Sequence, residues 1–280
     1  MIDLLLEPWR HGFMVRAFAT VALAGALCGV VGVYVVLRRM AFVGSALAHT
    51  VLPGLVFAFV QGFNLIIGAI LAAVGSALGI GWLTRRTAVR EDTAIGLVYP
   101  ALFAVGILMM SRTGSYRGFD GLLFGSPLTV TAGDLALLVG LGLAVIVALA
   151  LLHKELELSS VDDAYSRAIG VGPDRLRYLL LVIIALTVVA ALPAIGLLLT
   201  SALLVAPAAA GLRLARSLSR AMLASAAIGA LSGIGGLYLA WYADVAPGAA
   251  VVLLATACFG VAAGWRAWRD HRPPTLSLPR

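Results

Sequence analysis

Apolar runs of about twenty residues alternate with short polar breaks along the chain. As a helix, a run of that length crosses a hydrocarbon core of about 30 Å. The pattern predicts nine spans, at about 12–37, 41–60, 65–83, 91–110, 132–152, 178–192, 194–212, 221–242 and 247–265. Arg38 and Arg39 separate the first two, and Gln61 to Asn64 forms an uncharged turn before the third. Arg85, Arg86 and Arg90 close the third span. Glu91 and Asp92 open the fourth, because acids suit a helix N-terminus. Pro100 predicts a kink within it, and Pro193 a tight turn between the sixth and seventh. Gly25 and Gly29 have the small-xxx-small spacing that lets membrane helices approach closely. Residues 1–11 read as an interfacial segment, 111–131 as a glycine-rich loop and 153–177 as the longest charged stretch.

Composition agrees with this pattern. The 280 residues are 62% hydrophobic and 12% charged, and the mean hydropathy is +1.05. Lipid permits only helices or closed barrels, and the alternating ten-residue strands of a barrel are absent. The expected fold is therefore all-α: one polytopic transmembrane domain over 1–280. A net charge of +7 would suit nucleic acid, but the basic residues lie in short clusters between apolar runs, as in cytoplasmic loops. With alternating spans, Arg38, Arg39, Arg85, Arg86, Arg90, Lys154, Arg167, Arg175, Arg177, Arg213, Arg216 and Arg220 share one side. Arg266, Arg269, Arg272 and Arg280 fall on that side too, and only Arg10, Arg16, Arg112 and Arg117 on the other. The bias predicts an outer N-terminus and a cytoplasmic C-terminus. Asp3 and Glu7, without a basic region ahead of an apolar core, predict no cleaved signal peptide. Cys28 and Cys258 lie inside apolar runs and read as packing residues. The chain contains no phosphate-binding loop motif and no His-Glu-x-x-His, so it is not expected to be an enzyme.

The candidate chemistry begins at His49, one of four histidines and the only one deep in an apolar run. It lies roughly 12 Å into the bilayer core, where an ionisable group is costly and points to function. Ser45, four residues earlier, shares its helix face, and Pro53-Gly54 loosens the backbone beyond it. Thr50, Thr200 and Ser201 are further oxygen donors within spans and candidate pore-lining residues. Hydroxyls that bond back to the preceding turn are the competing reading. In the charged stretch, Ser160 and Asp163 have capping-box spacing. A short amphipathic helix is expected from there to Ile169, with Gly170 as its C-terminal residue and Gly172-Pro173 ending any helix. Asp244 reads as a solvated carboxylate of an outer loop.

Three of these segments carry a resemblance. Arg38-Arg39-Met40-Ala41-Phe42-Val43-Gly44 followed by Ala48-His49-Thr50-Val51-Leu52-Pro53-Gly54 resembles the signature of the permease subunits of zinc and manganese ABC importers. Asp163-Ala-Tyr-Ser-Arg167-Ala168-Ile169-Gly170-Val171 is similar to the segment with which those permeases dock into their ATPase. The run from Gly196 through Thr200, Ser201 and Pro207 to Gly211 matches a third family stretch. The resemblance implies the vitamin B12 importer-type (type II) permease fold, with a coupling segment at about 155–175. It also implies a second copy of the chain, cytoplasmic ATPase subunits, an extracytoplasmic metal-binding protein and a bacterial inner membrane. No permanent cofactor is implied. The cargo would be Zn2+ or Mn2+, passing His49 and position 45. Members usually carry aspartate where this chain has Ser45. Imidazole suits zinc, so this departure tilts the expectation toward zinc. A secondary transporter or channel is the alternative, but it would need carboxylates within spans, and no acid lies in the interior of any span.

Overall fold

The computed structural model describes residues 7–87, 89–113, 127–161, 163–168, 170 and 172–270. Among them there is no strand. The α-helices are α1 (Gly12–Leu37), α2 (Ala41–Thr50), α3 (Leu52–Gln61), α4 (Leu65–Thr87), α5 (Glu91–Thr113) and α6 (Ala132–Leu151). They continue with α7 (His153–Val161), α8 (Asp163–Ala168), α9 (Pro173–Leu214), α10 (Leu218–Ala243) and α11 (Pro247–Asp270). The second predicted span is two ten-residue helices, α2 and α3, broken at Val51. Pro53 has no N–H to offer the His49 carbonyl, which accounts for a break at this place.

α9 is a hairpin. Its 42 residues would reach roughly 60 Å if straight. Gly196 instead adopts φ 72° and ψ 176°, a conformation a side chain would resist, and the chain reverses there. Both ends of α9 lie at the Arg38 face. Near its start, Asp174 is 4.0 Å from Arg85 and Arg177 is ion-paired with Glu91. Near its end, Gly211 packs on Ala221 and Ser225 of α10. Ser219, at the start of α10, bonds His153, which bonds Tyr34 one turn before Arg38.

Among the described residues, eight helical segments are long and apolar enough to cross a membrane, α2 with α3 and the first arm of α9 each counting as one, and Leu199–Leu214 is a shorter apolar helix. The seventh predicted span, 194–212, is thus a returning arm of less than full length. The sixth begins earlier than predicted, because Pro173 occupies the first turn of α9 instead of only blocking what precedes it.

Helix α1 runs through the centre and is buried along most of its length. A Cβ on Gly25 would meet the Gly229 carbonyl oxygen at 2.5 Å, and Gly29 faces Ser225 with as little room. The glycine spacing therefore brings α1 and α10 into backbone contact. Lipid offers no hydrophobic drive for two helices to meet, so such close packing supplies the attraction. Gly54 of α3 and Gly68 of α4 meet in the same way.

Around α8 the sequence reading needs correction. Ser160 is not an N-cap. It lies inside α7, and its Oγ donates to the Leu156 carbonyl at 2.5 Å. The charged residues from His153 onward form their own helix, and α8 starts afresh at Asp163. A capping box does form elsewhere, between Thr131 and Asp134 at the start of α6. Asp244 is exposed between α10 and α11, as expected of a loop carboxylate. It ends α10 at φ 51° and borders a cavity of about 450 Å³ with Met14, Leu237 and Trp241.

Candidate metal centre

His49 occupies the last turn of α2 and is half-buried. Its Nδ1 lies 2.7 Å from the Ser45 backbone oxygen. A carbonyl can only accept, so Nδ1 carries a proton, and the neutral tautomer compatible with this bond has its lone pair on Nε2. A carbonyl bond at one ring nitrogen that aims the other is the arrangement found behind metal-bound histidines. The ring is further confined by α5. Tyr99 and Phe103 present edge-on rings at centroid distances of 5.2 and 5.6 Å. His49 is thus a ring fixed in place with Nδ1 committed to its own helix, and it is held further by two aromatic rings one turn apart.

The other predicted donors fall in different settings. Ser45 is half-buried on the same face of α2 and holds His49 through its backbone oxygen. Thr50 is buried, with Oγ1 donating to the Leu47 carbonyl at 3.0 Å. Thr200 is buried as well and donates to the Gly196 carbonyl at 2.6 Å. Ser201 is half-buried beside it. The two threonine protons are therefore committed to their own helices. Among the described residues, no group of three or more His, Cys, Asp or Glu could hold a metal ion.

The coupling candidates gather at the Arg38 face. Asp163 opens α8 and Ala168 closes it. Tyr165 and Arg167 are exposed, while Ser166 is buried. Gly170 has φ 83°, and its N–H donates to the Arg167 carbonyl at 3.2 Å, so the left-handed residue expected there is present. Asp162, Ile169 and Val171 lie outside the described residues.

Two polar connections at this face were not anticipated from the sequence. Arg38 donates from Nε to Ser160 Oγ at 3.1 Å and from a terminal nitrogen to Ser159 Oγ at 2.5 Å. Tyr34, fully buried, meets His153 Nδ1 through its hydroxyl at 2.8 Å, and His153 Nε2 meets Ser219 Oγ at 3.2 Å. A tyrosine inside an apolar run, which needs a partner when buried, was the one available signal.

Comparison with known proteins follows the same lines. The model of the ABC 3 transport family matches residues 10–265. The chain is 36% identical over 253 residues to the manganese transport system membrane protein MntC of Listeria innocua, covering 90% of each chain. It is 30% identical over 262 residues to the chelated iron transport system membrane protein YfeD of Yersinia pestis, covering 94% of this chain and 88% of that one. Among solved structures, PsaBC from Streptococcus pneumoniae in complex with Fab superimposes with a TM-score of 0.84 at 30% identity. The match covers 94% of this chain and 95% of that one.

Proposed function

Since the chain belongs to the ABC 3 transport family, we propose that it is the membrane permease of an ATP-driven importer of a divalent first-row transition metal. It works as a pair of copies in a bacterial inner membrane, with its N-terminus outside and its C-terminus in the cytoplasm. A separate ATPase docks on α8 and its flanks, and an extracytoplasmic protein delivers the ion. The observation that carries this reading is the imidazole of His49, half-buried within a span with Nε2 left as a lone-pair donor. In a pair of permeases, two such donors would face a common path. The ion is released from them easily because each copy offers one nitrogen and weak oxygen neighbours.

Two observations bear on the metal. The relatives named above carry manganese and iron in their names. The donor set here, imidazole with serine at position 45 and no carboxylate, suits zinc better than the harder manganese. All three metals therefore enter the test. A strain lacking the chain is grown in chelated medium with manganese, iron or zinc restored singly, and uptake of each metal is measured per copy of permease. His49→Ala is expected to abolish uptake at unchanged membrane abundance. Ser45→Asp, which adds a carboxylate one turn from the imidazole, is expected to move preference toward manganese. Full uptake per copy in His49→Ala would end the reading of His49 as a ligand.

A further inference from the structure

Helix α2 has one open face. Ala41, Phe42, Ser45 and His49 are half-buried or exposed, while the other six residues are buried. Those four positions form a single helical stripe. Helix α5 borders it. Tyr99 and Phe103, one turn apart, are half-buried, and Gly96, Pro100 and Ala104 beside them are exposed. The ring of Tyr99 lies 5.2 Å from the ring of His49, centre to centre. The two residues also share a depth. α2 and α5 both start at the Arg38 face, where Glu91 of α5 pairs with Arg177. The step from Ala41 to His49 equals the step from Glu91 to Tyr99, about 12 Å along each helix.

Tyr99 is therefore a neighbour of any ion that His49 meets, and its hydroxyl is uncommitted. Within the spans, Thr50, Ser76, Thr187 and Thr200 each donate to a carbonyl of the preceding turn. Tyr34 meets His153, and Tyr238 accepts from Trp9. The Tyr99 hydroxyl forms no hydrogen bond with the described residues, and the ring touches those of His49 and Phe103. Nor is the oxygen sealed inside the protein. Among the described residues, the side-chain oxygens both buried and without a hydrogen bond are those of Glu155 and Ser225. A tyrosine within a bundle ordinarily finds a partner for its hydroxyl. An open phenol at this depth is costly, and the cost is relieved when a polar species passes.

We propose that Tyr99 is a specificity-determining residue of the metal path, its hydroxyl oxygen meeting the passing ion beside the imidazole of His49. The role rests on His49 being the ligand. Imidazole suits zinc, whereas manganese prefers oxygen donors, and position 45 supplies a hydroxyl instead of a carboxylate. The phenol brings a further oxygen donor to that site from α5 and so keeps manganese among the ions carried.

Tyr99→Phe keeps the ring against His49 and removes the oxygen alone. In the deletion strain, uptake of manganese and of zinc, each supplied singly in chelated medium, is measured per copy of permease. Manganese uptake is expected to fall several-fold in Tyr99→Phe, with zinc uptake changed less. Adding Ser45→Asp to Tyr99→Phe returns an oxygen donor one turn from His49 and should recover the manganese uptake. Repacking around a lost hydroxyl would depress both metals alike and would not respond to a carboxylate on another helix. Unchanged manganese uptake in Tyr99→Phe, an equal loss of both metals, a loss that Ser45→Asp does not recover, or a wild type that takes up no manganese would overturn the proposal. His49→Ala separates that failure from failure of the wider reading. If His49→Ala takes up no metal, the role of Tyr99 alone is dismissed. If it takes up metal fully, the ligand role of His49 falls and that of Tyr99 with it.

Discussion

His49 and His153 separate two uses of one side chain. His49 sits in a span with its Nδ1 tied to its own helix, and no other described helix forms a hydrogen bond with it. Removing it should leave the fold intact. His153 joins three elements, because α1 reaches it through Tyr34 and α10 through Ser219, while Glu157 of its own helix lies 3.8 Å away. Its sequence position, at the edge of a charged stretch, suggests a dispensable residue. In the structure it is the side-chain hydrogen-bond partner, among the described residues, of the Tyr34 hydroxyl, on a tyrosine that is fully buried. Truncation there orphans a polar group, at about 1–3 kcal/mol. His153→Ala is therefore expected to lower the unfolding midpoint by several degrees, while Tyr34→Phe made in the same background restores much of the loss. An unchanged midpoint in His153→Ala would dismiss the bridge. At this scale the sequence reveals donors and their depth. It does not reveal partners more than one turn away, such as Tyr99 beside His49 or Ser219 beside His153. Those contacts depend on which helices pack together.

Elements were legible where periodicity and composition act locally, and misread where tertiary packing decides. The long apolar runs, the Gly25 and Gly29 face and the left-handed Gly170 all follow from rules within a few residues. The start of α8 was misplaced because Ser160 satisfies the capping spacing in sequence but continues α7 in space. Its hydroxyl bonds back to Leu156, and Arg38 from a distant turn holds it there. Gly170 offers the cleanest test of the segment. A Cβ at that position would meet nothing within 4 Å, so the demand for glycine is conformational alone. A β-branched residue at φ 83° is strained. If α8 transmits the motion of an ATPase, Gly170→Val should weaken metal-stimulated ATP hydrolysis in the assembled transporter several-fold. Membrane abundance should be unchanged, since the residue lies at the surface. Normal stimulation would make residues 160–170 a connecting segment without a role in coupling.

Two faces emerge from the whole molecule without reference to charge. Tyr34, Arg38, Arg85, Glu91, His153, Ser159, Asp174 and Ser219 are linked by bonds or ion pairs across α1, α4, α5, α7, α9 and α10. At the opposite end, Trp9 stacks on Phe18 and bonds the Tyr238 hydroxyl, and His11 packs on Trp241. The reversal at Gly196 keeps both ends of α9 on the first face, so among the described residues the two arms of α9 connect as the predicted alternation requires. The first set also collects the arginine clusters, and positive loops remain on the cytoplasmic side of a bilayer. Packing cannot assign that side, since a helical bundle is equally well packed either way up. Charge must do so, and labelling can check it. Gln61 is exposed at the end of α3, on the face away from Arg38, and Ser217 is exposed between α9 and α10, on the Arg38 face. Cysteine is placed at each in turn, with Cys28 and Cys258 replaced by alanine to remove background. In intact cells an impermeant thiol reagent should modify Gln61→Cys and leave Ser217→Cys unmodified until the membrane is opened. The reverse pattern would invert the orientation and take the proposed docking of an ATPase on α8 with it. Labelling of both sites in intact cells would mean that α9 and its neighbours do not keep Ser217 on the inner side, and the two-faced arrangement itself would fail.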